Sequence, residues 1–224
     1  MGIADGFRGE LSRALRGLGR LLGVTASDDP DASIRRAFEA AGTSAATTET
    51  LRRYGKEILG LLVGLLRDED EACDVFSLFS ERLWQTFDQF EWKCSVRTWA
   101  YLLARRASVD FARQRKPGRV ALSEASEVSA LVARVRTETL TYLRTETKDA
   151  VARLRDALPA DDRMLLILRV DRRLSWDELA EVFLADEAAT PEAKKRESAR
   201  LRKRFQLVKE KLVEMGREQG LLGE

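Results

Sequence analysis

The chain has 224 residues, 44% hydrophobic and 34% charged, with modest Gly (14) and Pro (4), enough for one or two compact domains with cores and a composition that favours helix throughout. No histidine is present and only two cysteines, Cys73 and Cys94, which excludes histidine acid–base chemistry, histidine-ligated metals and a disulfide framework. The formal net charge of +2 conceals an asymmetry: the chain is acidic from Asp68 to Glu91, basic from Lys93 to Arg119, and basic again from Lys194 to Lys211, a pattern suited to a polyanion gripped at two places.

Residues 1–24 place Phe7, Leu11, Leu15, Leu18 and Leu22 at steps of three and four, with arginines elsewhere on the wheel. An amphipathic helix is expected, either a docking helix for a partner or membrane surface or a short helix folded back on the domain. Residues 25–47 read as a linker with a turn or two of helix around Ile34 to Ala40. Leu51, Tyr54, Ile58, Leu61, Leu62 and Leu65 form one apolar stripe, and after the acidic turn a second runs through Val75, Phe76, Phe79, Leu83 and Phe87. The acids from Glu69 to Asp74 favour the start of that second helix through its dipole. A third helix begins after the break FEWKCS and runs to about Gln114, where Pro117 and Gly118 end it.

Residues 117–137 are polar and weakly patterned. Leu140, Leu143, Val151, Leu154 and Leu158 then carry a helix towards Pro159. Two short segments follow, DDRMLLILRV and SWDELAEVFL, the second opened by the capping box Ser175/Glu178. Thr190 and Pro191 supply an N-cap and first-turn proline for a long basic helix to about Gly220. Helix, tight turn, helix, then basic helix is the outline of a helix-turn-helix unit. The expected class is therefore all-α: an N-terminal extension (1–47), a helical domain (48–116), a linker (117–148) and a helix-turn-helix domain (149–224).

In SVRTWAYLLARRASVDFARQR, Arg97, Tyr101 and Arg105 share one helical row, Val96, Ala100, Leu103 and Ala107 can turn to the core, and Arg106, Arg113 and Arg115 widen the positive surface. Arginines beside aromatic rings suit an unpaired nucleic-acid strand, since stacking supplies roughly 1–3 kcal/mol per base and the cations hold phosphates. Trp99 reads equally as a core anchor, and arginines on an exposed helix as solvated.

The stretch from Tyr54 to Arg115 resembles region two of bacterial sigma factors of the extracytoplasmic-function (ECF) group within the sigma-70 family, and LPADDRMLLILRVDRRLSWDELAEVF resembles the start of their region four. The residues that carry the resemblance are Asp74-Val75, Arg82 to Trp84, Phe87, Phe90, Arg97-Thr98-Trp99, Tyr101, Ala104-Arg105 and Asp110, then Leu158-Pro159, Arg169 and Leu174 to Glu181. The resemblance implies a non-enzymatic, cofactor-free promoter-specificity subunit in the cytoplasm. Its partners would be core RNA polymerase (beta-prime clamp helices and beta flap), promoter DNA and an anti-sigma factor. Trp92, Lys93, Cys94, Arg97, Trp99, Tyr101, Arg105, Arg106 and Arg113 would serve the minus-ten element, with a flipped base received by the loop Glu91 to Ser95. Lys195, Arg196, Ser198, Arg200, Arg202, Lys203 and Arg204 would serve the minus-thirty-five element in the major groove. Asp74, Ser77, Leu78 and Glu81 would meet the polymerase.

Two departures accompany the matches. Ser77, Leu78, Phe79 and Ser80 stand where the family has a Gln-Glu pair, a small or apolar residue and Phe, so Leu78 and Phe79 are either a more apolar polymerase contact or ordinary core. Leu184 replaces the Gly after the second short helix, and ADEAATPEAKK lengthens the turn that follows. A stand-alone helix-turn-helix regulator and a helical adaptor remain as other readings; the first leaves the aromatic-rich basic patch unexplained, the second the ordered pair of motifs. Cys94 would be redox-sensitive if exposed, and otherwise a loop residue without chemistry.

Overall fold

The computed structural model describes residues 30–114, 127–145, 154–184 and 190–219, and the amphipathic segment expected over 1–24 lies outside them. Every regular element among the described residues is helical: α1 (Ala32–Leu66), α2 (Glu69–Thr86), α3 (Val96–Gln114), α4 (Glu127–Thr145), α5 (Ala160–Leu166), α6 (Trp176–Phe183) and α7 (Pro191–Glu218). The chain is all-α, as its composition and periodicity indicate.

α1 is two helical segments meeting at Ala41 and Gly42, where Gly42 takes φ +72°, a conformation open to glycine at little cost. The first segment replaces the expected linker with a helix anchored by the fully buried Ile34. The second buries Leu51, Tyr54, Ile58, Leu61, Leu62 and Leu65 along the stripe read from the sequence. α2 opens at Asp68, whose Oδ1 accepts a hydrogen bond from Glu71 N at 2.9 Å, and Glu69, Asp70 and Glu71 fill its first turn. The acidic run is thus a helix start, favoured by the dipole. Val75, Phe76, Phe79 and Leu83 then face the core.

α4 falls in the segment read as a linker. Val128, Leu131, Val132 and Val135 repeat at helical steps and are buried, but they are outnumbered by Ser, Glu, Thr and Arg, which hides the stripe. The helix packs on α1, and its approach depends on Gly55, where a Cβ would meet Val135 Cγ1 at 3.2 Å.

The capping box at α6 forms as expected, with Glu178 N donating to Ser175 Oγ (3.2 Å) and Ser175 N donating to Glu178 Oε2 (2.7 Å). Thr190 Oγ1 likewise accepts from Ala193 N (3.1 Å) at the start of α7. Between α5 and α6 the chain makes a π turn over Ile167–Asp171, which local periodicity does not signal. Among the described residues, Leu165, Leu168, Leu174, Leu179, Val182, Phe183 and Leu201 join the cluster built by α1, α2 and α3, while Leu154, Leu158, Leu166, Val208 and Leu212 form a second, smaller cluster.

Arg163 fastens the two parts together. It is 3% exposed, and its guanidinium donates to the carbonyls of Leu65 (2.7 Å) and Gly64 (3.4 Å) at the open end of α1, and to Leu158 (2.7 Å), Asp156 (3.0 Å) and Arg155 (3.2 Å). Helix C-termini leave carbonyls without intrahelical partners, and a planar cation with five donors can satisfy several of them at once. Arg163→Met is expected to lower stability by about 3 kcal/mol in urea unfolding, because buried carbonyls lose their donors. Arg163→Lys should recover only a minor part of the loss.

Candidate nucleic-acid interface

The loop before α3 and the face of α3 carry the residues singled out for strand binding. α3 starts where Ser95 Oγ accepts from Thr98 N (3.1 Å) and where Asp31 Oδ2, from the beginning of α1, accepts from Val96 N (2.8 Å). Asp31 is buried and reaches across 65 residues of sequence to hold this helix end. The preceding loop is an aromatic cluster. The Phe90 and Trp99 rings stack at 4.4 Å, Phe87 meets Trp99 edge-on at 5.4 Å, and Trp92 lies 5.0 Å from Phe90 and 6.3 Å from Phe38. Trp92 adopts φ +56°, which is costly for a bulky residue and is held by this packing and by the Arg35 guanidinium 4.6 Å over its ring. Lys93 is exposed and pairs with Glu91.

The row Arg97, Tyr101, Arg105 is on one face of α3 as expected, but that face is turned inward. Tyr101 is 0% exposed and its hydroxyl donates to Glu57 of α1, which also takes the Arg97 guanidinium. Burial and the Glu57 carboxylate raise the Tyr101 pKa well above its usual value. Burial, the largest single influence, would lower that of Arg97, but the hydrogen bond to Glu57 together with the charges of Tyr101, Glu57 and Tyr54 outweighs it and holds the cation more firmly protonated. Arg105 reaches Asp161 at 3.5 Å and lies 4.8 Å over the Phe183 ring. Arg106 is half-buried and Arg113 exposed. Trp99, half-buried in the aromatic cluster, is the core anchor of the second reading.

On α7, Lys195, Arg196, Arg200, Arg202 and Lys203 are exposed, while Ser198 is 2% exposed and packs inward. Arg200 is held by Glu197 (2.7 Å), Arg202 lies 5.7 Å over Trp176, and Arg204 is bound to Asp162 (2.6 Å). Ser198 shares the buried side of the helix with Leu201, so the exposed side of α7 carries its arginines and lysines and not this hydroxyl.

On α2, Asp74 is exposed, Glu81 half-buried, and Leu78 half-buried against the core. Ser77 Oγ donates to Cys73 O (3.0 Å) and accepts from Arg136 of α4. The large apolar side chain open to solvent on this helix is Trp84, 47% exposed. Glu57, Asp31, Arg35, Arg172 and Asp161 were not singled out from the sequence. For Glu57 the one available signal was its position at the edge of the uncharged run 58–66.

Cys94 is half-buried, and its thiol pKa is pushed up to about 12, by burial first and then by the Glu181 carboxylate. Thiolate is the reactive form, so Cys94 should react with iodoacetamide at neutral pH about a thousandfold more slowly than an unperturbed thiol. Mass spectrometry of the alkylated chain measures this, and rapid labelling would mean an exposed loop. Arg97→Ala should cost about 1–2 kcal/mol of stability in urea unfolding, since it leaves the largely buried Glu57 carboxylate with less compensation. Glu57→Gln in the same background should restore part of that loss.

No curated protein matches the chain. Residues 50–117 match the family model for sigma-70 region 2, and this span takes in the apolar stripe of α1, the whole of α2, the aromatic loop and α3. The matched bundle therefore contains both the aromatic loop and the row set on Glu57, and this part of the chain is similar to sigma-70 region 2.

Proposed function

We propose that the protein is a promoter-specificity factor of the ECF group, which carries core RNA polymerase to minus-ten and minus-thirty-five elements and supports transcription initiation. The observation that carries this reading is the region 2 match over 50–117, and the small size of the chain fits the ECF group. The loop Glu91 to Ser95 with α3 would serve the minus-ten strand, and the exposed cations of α7 the minus-thirty-five duplex. A duplex groove needs base-edge donors and phosphate cations, and Arg196, Arg200, Arg202 and Lys203 supply both from the exposed side of one helix.

For the polymerase contact, Asp74, Glu81 and the exposed Trp84 are the groups on α2 open to a partner, because Ser77 is engaged by Arg136 and Leu78 packs on the core. The exposed tryptophan would anchor such a surface, since aromatic residues dominate binding energy at interfaces. Co-purification with core RNA polymerase tests the reading directly. Wild type should bind stably, and Trp84→Ala should weaken binding about tenfold with its helix content unchanged. Failure of wild type to bind would replace this reading with that of a stand-alone regulator.

A further inference from the structure

The loop Glu91 to Ser95 is held from outside the matched span. Asp31 and the first segment of α1 precede residue 50, where that match begins, yet they reach the loop and the helix behind it at three points. Asp31 stands at the start of α1, where its carbonyl accepts from Arg35 N (2.8 Å), but its carboxylate does not cap that helix. It accepts from Val96 N at the start of α3, a helix end that Ser95 Oγ also caps through Thr98 N. Arg35 lies over the face of Trp92 at 4.6 Å, and Phe38 meets Phe87 at 5.6 Å and Trp92 at 6.3 Å. Ile34, fully buried, anchors the segment in the core.

Trp92 is the residue that needs such support. Its φ of +56° is unfavourable for a bulky side chain, and a strained backbone persists only where its surroundings over-determine it. Phe87 and Phe90 hold the ring from within the loop, Arg35 and Phe38 from the start of the chain's first helix. The exposed Glu91 and Lys93 flank it. The segment can fold back onto the loop because α1 breaks at Ala41 and Gly42. Gly42 takes φ +72° and ψ −160°, a conformation essentially reserved for glycine.

We infer that residues 31–38 form a clip that positions the base-receiving loop: Asp31 fixes the start of α3, while Arg35 and Phe38 fix Trp92 in the shape a single strand meets. The inference rests on the reading of that loop as a strand-binding site and adds which part of the chain preorganises it. A strand that meets a preformed loop is spared the cost of ordering it. Released from the clip, Trp92 leaves its left-handed conformation and its ring no longer presents a fixed stacking face. One stacked base is then lost, and no phosphate contact goes with it.

Gly42→Ala in the full chain tests the clip without touching the loop, since a Cβ at position 42 meets nothing within 4 Å and acts through the backbone alone. Hydrogen exchange over residues 91–98, read by mass spectrometry, should become several-fold faster. Anisotropy of a fluorescent oligothymidylate strand should show binding weakened about tenfold, the worth of one stacked base. The salt dependence of binding should stay as in wild type, because no cation is removed. Arg35→Gln, which alters an exposed side chain, is the second variant if circular dichroism shows lost helix in the first. It should raise the exchange in the same way, and Arg35→Lys, which keeps a cation for the Trp92 ring, should restore much of the protection. Unchanged exchange in the folded variants overturns the clip and leaves the strand reading of the loop untouched, even if Arg35→Gln flattens the salt dependence and so marks Arg35 as a phosphate contact. Faster exchange with undiminished strand binding, or a wild type that binds no strand, overturns it by removing the reading on which it rests.

Discussion

One buried carboxylate organises the region around α3. Glu57 projects from α1 and receives the Tyr101 hydroxyl and the Arg97 guanidinium, with the Arg172 guanidinium 3.8 Å away and Arg172 Nη2 3.4 Å from the Glu57 carbonyl. A carboxylate withdrawn from water is costly unless cations and donors surround it, and here they come from α3 and from the turn before α6. Residues four apart on a helix share a row, so fixing Tyr101 against Glu57 also fixes the facing of Arg97 and Arg105. The orientation of the whole cationic row therefore follows from a single acid on another helix.

The same constraint explains why the two parts of the chain share a core. With Arg97 and Arg105 turned inward, α3 presents cations to its neighbour, and the neighbour answers with a carbonyl at Arg172, a carboxylate at Asp161 and a ring at Phe183. Apolar side chains fill the remainder, and Leu165, Leu168 and Val182 are fully buried in one cluster with α1 and α2. Polar contacts set the register, while burial of apolar surface supplies most of the stabilisation.

Local signals were legible in the sequence where local physics decides the structure. The stripe of α1, the acidic start of α2, the capping box at Ser175 and the Thr190–Pro191 start of α7 all depend on residues within a few positions of one another. What escaped were pairings across the chain. Asp31 capping α3, Glu57 receiving Tyr101 and Arg163 closing α1 join residues 65, 44 and about 98 positions apart, and no periodicity encodes them. The amphipathic row of α3 was visible, but its facing was not. A helical wheel locates a polar face without saying whether water or a carboxylate lies opposite. α4 is an intermediate case, since its stripe of Val128, Leu131, Val132 and Val135 is present but thin.

The departure at Ser77 and the presence of α4 account for each other. Arg136 of α4 places its guanidinium against both the Cys73 carbonyl and Ser77 Oγ, while Ser77 itself bonds back to Cys73 O at 3.0 Å. This arrangement requires a short hydroxyl side chain one turn beyond Cys73. A long glutamine at position 77, in keeping with the family pattern, would fill the space the guanidinium occupies and push α4 away from α2. Since α4 also seats Val135 against Gly55, where a Cβ would be only 3.2 Å from it, the helix has little freedom to retreat. Small residues at 55 on α1 and 77 on α2 are thus parts of one accommodation. The residue that looked like a weakened polymerase contact is, in the folded chain, the receptor for the chain's own fourth helix. In the proposed reading, a contact with polymerase would be made around it, from the exposed side of α2 that carries Asp74 and Trp84.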